Sequence, residues 1–375
     1  MTPKERVLQA IASHQPDRVP VDYWGTPEYD HQLAEFFNVK TRDEVLEKLD
    51  VDVRYVYASG IIYEEPTGLL GPTPPYIGPS RNRFEDGSFE DLWGVTRKCT
   101  TVSSGNIYRD VIKNPLKNAT TVSEIEAYDK WPKAEDFDYS GIYQATLKYK
   151  DRAVFIGGMP GCATTFIQCW YLRGLENILM DFIQAPDLVD AIVEKITDFQ
   201  YKYHRLLLEK IGDLADVLML ADDYGTQTNL MINPKHFRRF FKKPTQRLID
   251  LGKEYELKIM LHSDGNIRKL IPEFIEMGID IINPIQHVGP EMDPADLKKE
   301  FGRYICFHGA IDTQKDLLKN KPPDTAMLVR RTIDTLGSNG GFILSPTHML
   351  QLDVPMENVL TLYQTNRKIG GKAQL

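Results

Sequence analysis

Eight short apolar, β-branched runs alternate with amphipathic helical stretches along this chain, and that alternation restricts the fold more than any other feature. The runs are Val19–Tyr23, Val51–Val56, Ala153–Gly157, Asp216–Ala221, Leu257–His262, Ile279–Asn283, Arg303–His308 and Gly341–Ser345. Strands that alternate with helices pair in parallel, and eight of them suffice to close a (β/α)8 TIM barrel. Helical spacing of apolar residues runs from Leu188 to Ile211, Pro234 to Tyr255, Ile267 to Met277 and Asp324 to Leu336. Gly212 and Gly278 stand just past helix ends, and Pro272 falls in a first turn. The alternation breaks once, between Val56 and Ala153. A structureless loop of that length is implausible in a compact domain, so residues 60–150 are expected to form a folded insertion lying over the C-terminal mouth as a lid. Within it, Phe84 to Val95 reads as a hairpin turning at Asp86-Gly87. The expected organisation is one domain, 1–375.

Composition narrows the partners. The 375 residues carry 45 Lys+Arg against 53 Asp+Glu, a net charge of −8, which disfavours nucleic acid. No apolar stretch is long enough to span a membrane, and the N-terminus reads as an amphipathic helix rather than a signal peptide. Cys99, Cys162, Cys169 and Cys306 show no paired spacing, so no disulfide framework is indicated and a reducing cytoplasm is the expected compartment. Cys306 is expected to be core.

In a barrel, chemistry sits where the strands end at their C-terminal side. Five consecutive runs end in polar residues: Asp222-Asp223-Tyr224, His262-Ser-Asp264, Asn283-Pro-Ile-Gln286, His308-Gly-Ala-Ile-Asp312 and Ser345-Pro-Thr-His348. Asp264 before Gly265 also suits a simple turn, and His308 suits a hydrogen-bonded core histidine. His262, Asp264 and His348 nevertheless fall on strand ends that only a barrel brings together, and they are types that ligate metals. His-x-Asp with a distant His is also the pattern of mononuclear iron oxygenases, but alternating strands and helices disagree with their all-β fold. Gly157-Gly-Met-Pro-Gly161 lacks the lysine of a phosphate loop and suits a tight turn.

Several segments resemble the uroporphyrinogen decarboxylase superfamily: Ile156–Phe166, Asp222–Phe237, His262-Ser-Asp-Gly-Asn266, His308-Gly-Ala-Ile-Asp312, Gly341–His348 and Asp353-Val-Pro-Met-Glu-Asn358, with a similar opening at Thr2–Leu8. The resemblance implies the same TIM barrel. Where the true decarboxylases carry an arginine-rich segment for porphyrinogen carboxylates, this chain reads Asp22-Tyr-Trp-Gly-Thr-Pro-Glu28. The corrinoid/zinc methyltransferase branch holds zinc through His-x-Cys and a later Cys, and the matching positions here are His262, Asp264 and His348.

What the resemblance implies is a metal-dependent methyltransferase. Zn²⁺ is the expected ion (Fe²⁺ or Mn²⁺ as substitutes), activating a small thiol or hydroxyl acceptor, with the corrinoid brought by a partner protein. Asp222, Asp223 and Asp312 are then candidates for catalysis, and Tyr224, Gln286, His308 and Asn283 for substrate contact. The alternative is a metal-free lyase acting on a small carboxylic acid. Asp222, Asp223 and Asp264 crowded in one cavity would raise at least one carboxyl pKa unless a cation neutralises them.

Overall fold

A computed structural model describes residues 1–60, 80–157, 164–287 and 289–371. Seven of the eight runs are strands: β1 (Val53–Val56), β2 (Ala153–Gly157), β3 (Val217–Ala221), β4 (Lys258–His262), β5 (Ile281–Asn283), β6 (Cys306–Ile311) and β7 (Phe342–Pro346). They pair in parallel and in sequence order, so each connection advances one strand around a curled sheet. The result is an α/β fold of the TIM-barrel type.

The remaining run, Val19–Tyr23, is not a regular strand. Pro20 has no N–H to donate, and the Val21 amide donates to the Asp52 side chain at 2.8 Å instead of to a ladder. The segment still bonds to both sheet edges. Leu344 N donates to Pro20 O and Asp22 N to Leu344 O on one side, and Asp52 N donates to Val21 O on the other. It therefore stands where an eighth stave belongs.

Side chains alternate across each strand, and the inward set is apolar in its lower layer: Val53, Phe155, Met219, Met260, Ile281, Cys306 and Ile343 pack together with Trp24. Cys306 thus belongs to the core, and burial pushes its thiol up to about 12. The N-terminal helix Pro3–Ile11, started by a Thr2–Glu5 capping box, adds Val7 and Ile11 to this cluster. Lys4 N bonds to Asp151 O, and Gly341 N to Ala10 O, just before β2 and β7, so this helix closes the bottom of the barrel. The long helices Pro186–Ile211 and Pro322–Leu336 pack outside. Their starts and stops lie within two residues of the sequence-derived bounds.

Part of the insertion is a four-stranded antiparallel sheet, Ser80–Arg83, Ser88–Asp91, Thr96–Thr101 and Ile107–Lys113, with its first turn at Asp86-Gly87. Its buried Trp93 sets its ring edge-on to Phe199 of the long helix. Asn106, buried at the tip of the last hairpin, donates to Gln351 Oε1 at 3.1 Å and accepts from Asp353 N. Arg109 lies 3.5 Å from Glu28. Residues 61–79 and 158–163, including most of the glycine-rich stretch and Cys162, lie outside the described residues. No helix among the described residues is long and apolar enough to cross a membrane.

Candidate functional site

Above the apolar layer the inward positions turn polar. Two residues beyond Met260, Ile281 and Cys306 come His262, Asn283 and His308, all on the inward parity. The register puts His262 directly beside Asn283. Continuing the β5–β6 register, in which Ile281 faces Cys306 and Ile282 faces Phe307, sets Asn283 beside His308.

Three metal-competent side chains meet at the end of β3 and β4. Asp223, His262 and Asp264 each offer a ligand atom, and these atoms lie within 4.8 Å of one another. His262 Nε2 is 3.7 Å from Asp223 Oδ1 and 3.9 Å from Asp264 Oδ1. The two loops meet because both carry glycine at the contact. A Cβ on Gly225 would sit 2.5 Å from Asp264 O, and one on Gly265, whose φ is +84°, 2.6 Å from Gly225 C. Asn266 N closes the contact on Thr226 O at 2.7 Å. Asp264 N donates to Asp223 Oδ1 at 2.9 Å, and Gln286 donates to Asp264 Oδ1 at 2.9 Å. Burial and the adjacent Asp264 carboxylate push the Asp223 carboxyl up, while His262, the Asp264 N–H and His348 pull it down.

Behind His262 runs a chain of hydrogen bonds. His262 Nδ1 is 2.5 Å from Asn283 Oδ1, Asn283 Nδ2 is 2.7 Å from His308 Nδ1, and His308 Nε2 is 3.0 Å from Asp22 Oδ2. Asp22 also accepts from the Tyr55 hydroxyl (2.6 Å), Trp24 Nε1 (3.0 Å) and Tyr23 N (2.7 Å). The Trp24 ring lies over both imidazoles, with centroids 5.3 Å from His262 and 5.9 Å from His308.

His348 approaches from the open side. Its Nε2 is 3.9 Å from Asp264 Oδ2, and it is about one third exposed (36%). The compact set is therefore Asp223, His262 and Asp264 rather than His262, Asp264 and His348, because Asp223 is carried in by the two facing glycines. Sequence order shows no such loop contact.

Other candidates have structural partners. Asp222 accepts from the backbone N–H of Thr165 (3.1 Å), Phe166 (2.9 Å) and Ile167 (2.9 Å), and from the Tyr224 hydroxyl (2.9 Å). It anchors the start of the helix Phe166–Arg173. Burial pushes its carboxyl up to about 7, against the pull of those donors. A raised carboxyl was expected from crowding; for Asp222 its cause is burial. Tyr224 is fully buried, with its ring stacked on Phe166 and edge-on to Phe237. Asp312 accepts from the N–H of Gln314, Lys315 and Asp316, at the turn into a short helix. Half-buried Gln286 contacts Asp264, while Asn283 and His308 are fully buried in the chain of bonds behind His262. Asp22, Trp24 and Tyr55 were not anticipated. The signal for the first two was their place at the C-terminal end of the first apolar run.

Two carboxylates and one imidazole suit a divalent ion that prefers oxygen and nitrogen, and three donors leave positions open as a catalytic site needs. Among the described residues no thiol belongs to the set: Cys99 is exposed, and Cys169 and Cys306 are buried elsewhere.

The architecture is that of a TIM-barrel-type protein with polar residues gathered at its C-terminal strand ends. Residues 102–369 match the model of the family described as uroporphyrinogen decarboxylase (URO-D), and the chain belongs to that family. A solved structure titled methyltransferase from Methanosarcina mazei is similar over 98% of this chain and 99% of its own, with a TM-score of 0.64 and 16% identity. At that identity the likeness shows the fold. No curated protein matches by sequence.

Proposed function

We propose that this chain is a metal-dependent methyltransferase-like enzyme, acting on a small thiol or hydroxyl acceptor with a corrinoid protein as methyl donor. The meeting of Asp223, His262 and Asp264 within 4.8 Å carries the reading. A Zn²⁺ ion there (Fe²⁺ or Mn²⁺ suit the same donors) would lower the pKa of a bound thiol or hydroxyl. The oxygen and nitrogen donors of this set favour an oxygen acceptor more than a zinc–cysteine site would.

The chain's own residues do the rest. Gln286 holds the Asp264 carboxylate, and Asn283 holds the His262 ring. Trp24 walls off the inner side from water. Asp223 would serve the ion with one carboxylate oxygen and take the acceptor's proton on the other. His348 stands at the solvent side to orient the acceptor. The corrinoid stays with its own protein, which docks over the C-terminal mouth. The described part of the insertion, residues 80–150, serves as the lid of a single domain; the bonds from Asn106 to Gln351 and from Asp353 to Asn106, on the segment just after His348, support that placement.

Metal analysis of the full chain tests this beside Asp223→Ala, His262→Ala, Asp264→Ala and His348→Ala, followed by transfer from methylcobalamin to thiols and alcohols. A stoichiometric ion lost in the first three variants supports the reading. Wild-type protein that takes up no divalent ion defeats it and leaves a lyase acting on a small carboxylic acid. In that case Asp223 would be the acid–base group, with His262 and His348 holding the anion.

A further inference from the structure

We propose that Asp22, His308 and Asn283 are positioning residues that lock His262 into one tautomer, with the proton on Nδ1 and the lone pair of Nε2 turned toward Asp223 and Asp264. The inference starts at the far end of the chain of bonds. Asp22 is fully buried and surrounded by groups that donate: the Tyr23 N–H, the Trp24 indole N–H and the Tyr55 hydroxyl. A carboxylate offers acceptors only, so His308 Nε2 must carry a hydrogen to bond it at 3.0 Å.

In a neutral imidazole the other nitrogen is then bare, and His308 Nδ1 accepts from the Asn283 amide at 2.7 Å. That fixes which end of the Asn283 amide faces which histidine. Its oxygen is left for His262 Nδ1, 2.5 Å away, which must therefore donate. With both imidazoles neutral, each step leaves the next group one role, so an acceptor at Asp22 is transmitted along the chain to His262. The outcome is the ring state that a ligand needs, because Nε2 keeps its lone pair at 3.7 Å and 3.9 Å from the two carboxylates. Trp24 restrains the orientation by lying against both rings.

A row of polar groups at an apolar wall also has a purely structural explanation, namely mutual hydrogen-bond satisfaction. That explanation leaves the direction of the bonds open. The buried carboxylate at one end sets the direction.

The tautomer exists without any ion, so this inference and the metal reading fail separately. The test is histidine-¹⁵N-labelled full chain, stripped with a chelator, with His262 assigned by comparison with His262→Gln. Two-bond ¹H–¹⁵N correlations should show Nδ1 protonated and Nε2 bare in the wild type. In Asn283→Leu the preference should collapse to a mixture. Asn283→Asp, which still accepts from His262 Nδ1, should restore it. Asp22→Asn, which never touches His262, should also relax the preference while circular dichroism shows the fold retained. Zn²⁺ titration of the same proteins should show roughly 10–100-fold weaker binding for Asn283→Leu, with Asn283→Asp recovering most of it. A wild-type His262 protonated at Nε2, or a mixture of tautomers, overturns the proposal. So does an unchanged tautomer in folded Asn283→Leu. If the tautomer behaves as described and no Zn²⁺ binds to any of them, the positioning stands and the metal reading falls.

Discussion

Replacing Asp222 with alanine tests whether the first aspartate of the Asp222-Asp223 pair is an anchor or a catalyst. The carboxylate accepts three backbone N–H groups at the start of the helix Phe166–Arg173, plus the Tyr224 hydroxyl, all at 2.9–3.1 Å. Leaving a buried donor without an acceptor costs about 1–3 kcal/mol. Four such losses do not add in full, because water enters the vacated space and the cost of burying the charge disappears. The expected net loss is about 3–5 kcal/mol, as when one partner of a buried charged contact is removed. Asp222→Asn keeps one acceptor oxygen and should lose roughly half as much. Urea unfolding at pH 8 is the assay, since this lies above the value of about 7 to which burial raises the carboxyl. Tyr224→Phe should cost only about 1 kcal/mol, because it removes one donor and its ring still packs on Phe166. If Asp222→Ala unfolds within about 1 kcal/mol of wild type yet loses all turnover, the anchor reasoning is wrong.

Other outcomes follow from the same geometry. Zn²⁺ at about 100 times its dissociation constant should stabilise the wild type by about 2.7 kcal/mol, and a chelator should remove that gain, with Asp264→Ala indifferent to both. Thermal unfolding with and without the ion checks this. Gly225→Ala must part the two loops, since its Cβ would meet Asp264 O at 2.5 Å, and should weaken ion binding about 10–100-fold in a titration. Unchanged affinity would show that the loop contact does not hold Asp223 and Asp264 together. His204 is fully buried, with Nδ1 on Gln200 O and Nε2 without a partner among the described residues, and burial lowers its pKa from 6.5 to about 4. Between those values the unfolded chain binds a proton that the folded one refuses. Its stabilisation is therefore complete above about 6.5 and falls by about 3 kcal/mol as the pH drops to 4. Denaturant melts at stepped pH should show that acid loss in wild type and not in His204→Phe; equal slopes would rule it out.

Local pattern was sufficient for much of the architecture, because strand and helix periodicities are properties of neighbouring residues. Seven runs became strands within three residues of their expected bounds. Only Val19–Tyr23 fell short, where Pro20 and the Asp52 carboxylate take the ladder's place. The polar strand ends likewise placed His262 and Asp264 at one site, since alternation puts the residue two beyond an inward Met260 in the same barrel.

Tertiary structure decided how the residues divide their work. Asp222 and Asp223 are adjacent in sequence, yet one turns to a helix start and the other to His262. Asp223 joins the cluster because Gly225 and Gly265 let two backbones touch, a contact between loops about forty residues apart. Asp22 reaches His308 from 286 positions away, and no local period carries that information. Periodicity tells which face a side chain occupies; which partner waits there is settled only when distant strands close around the same axis.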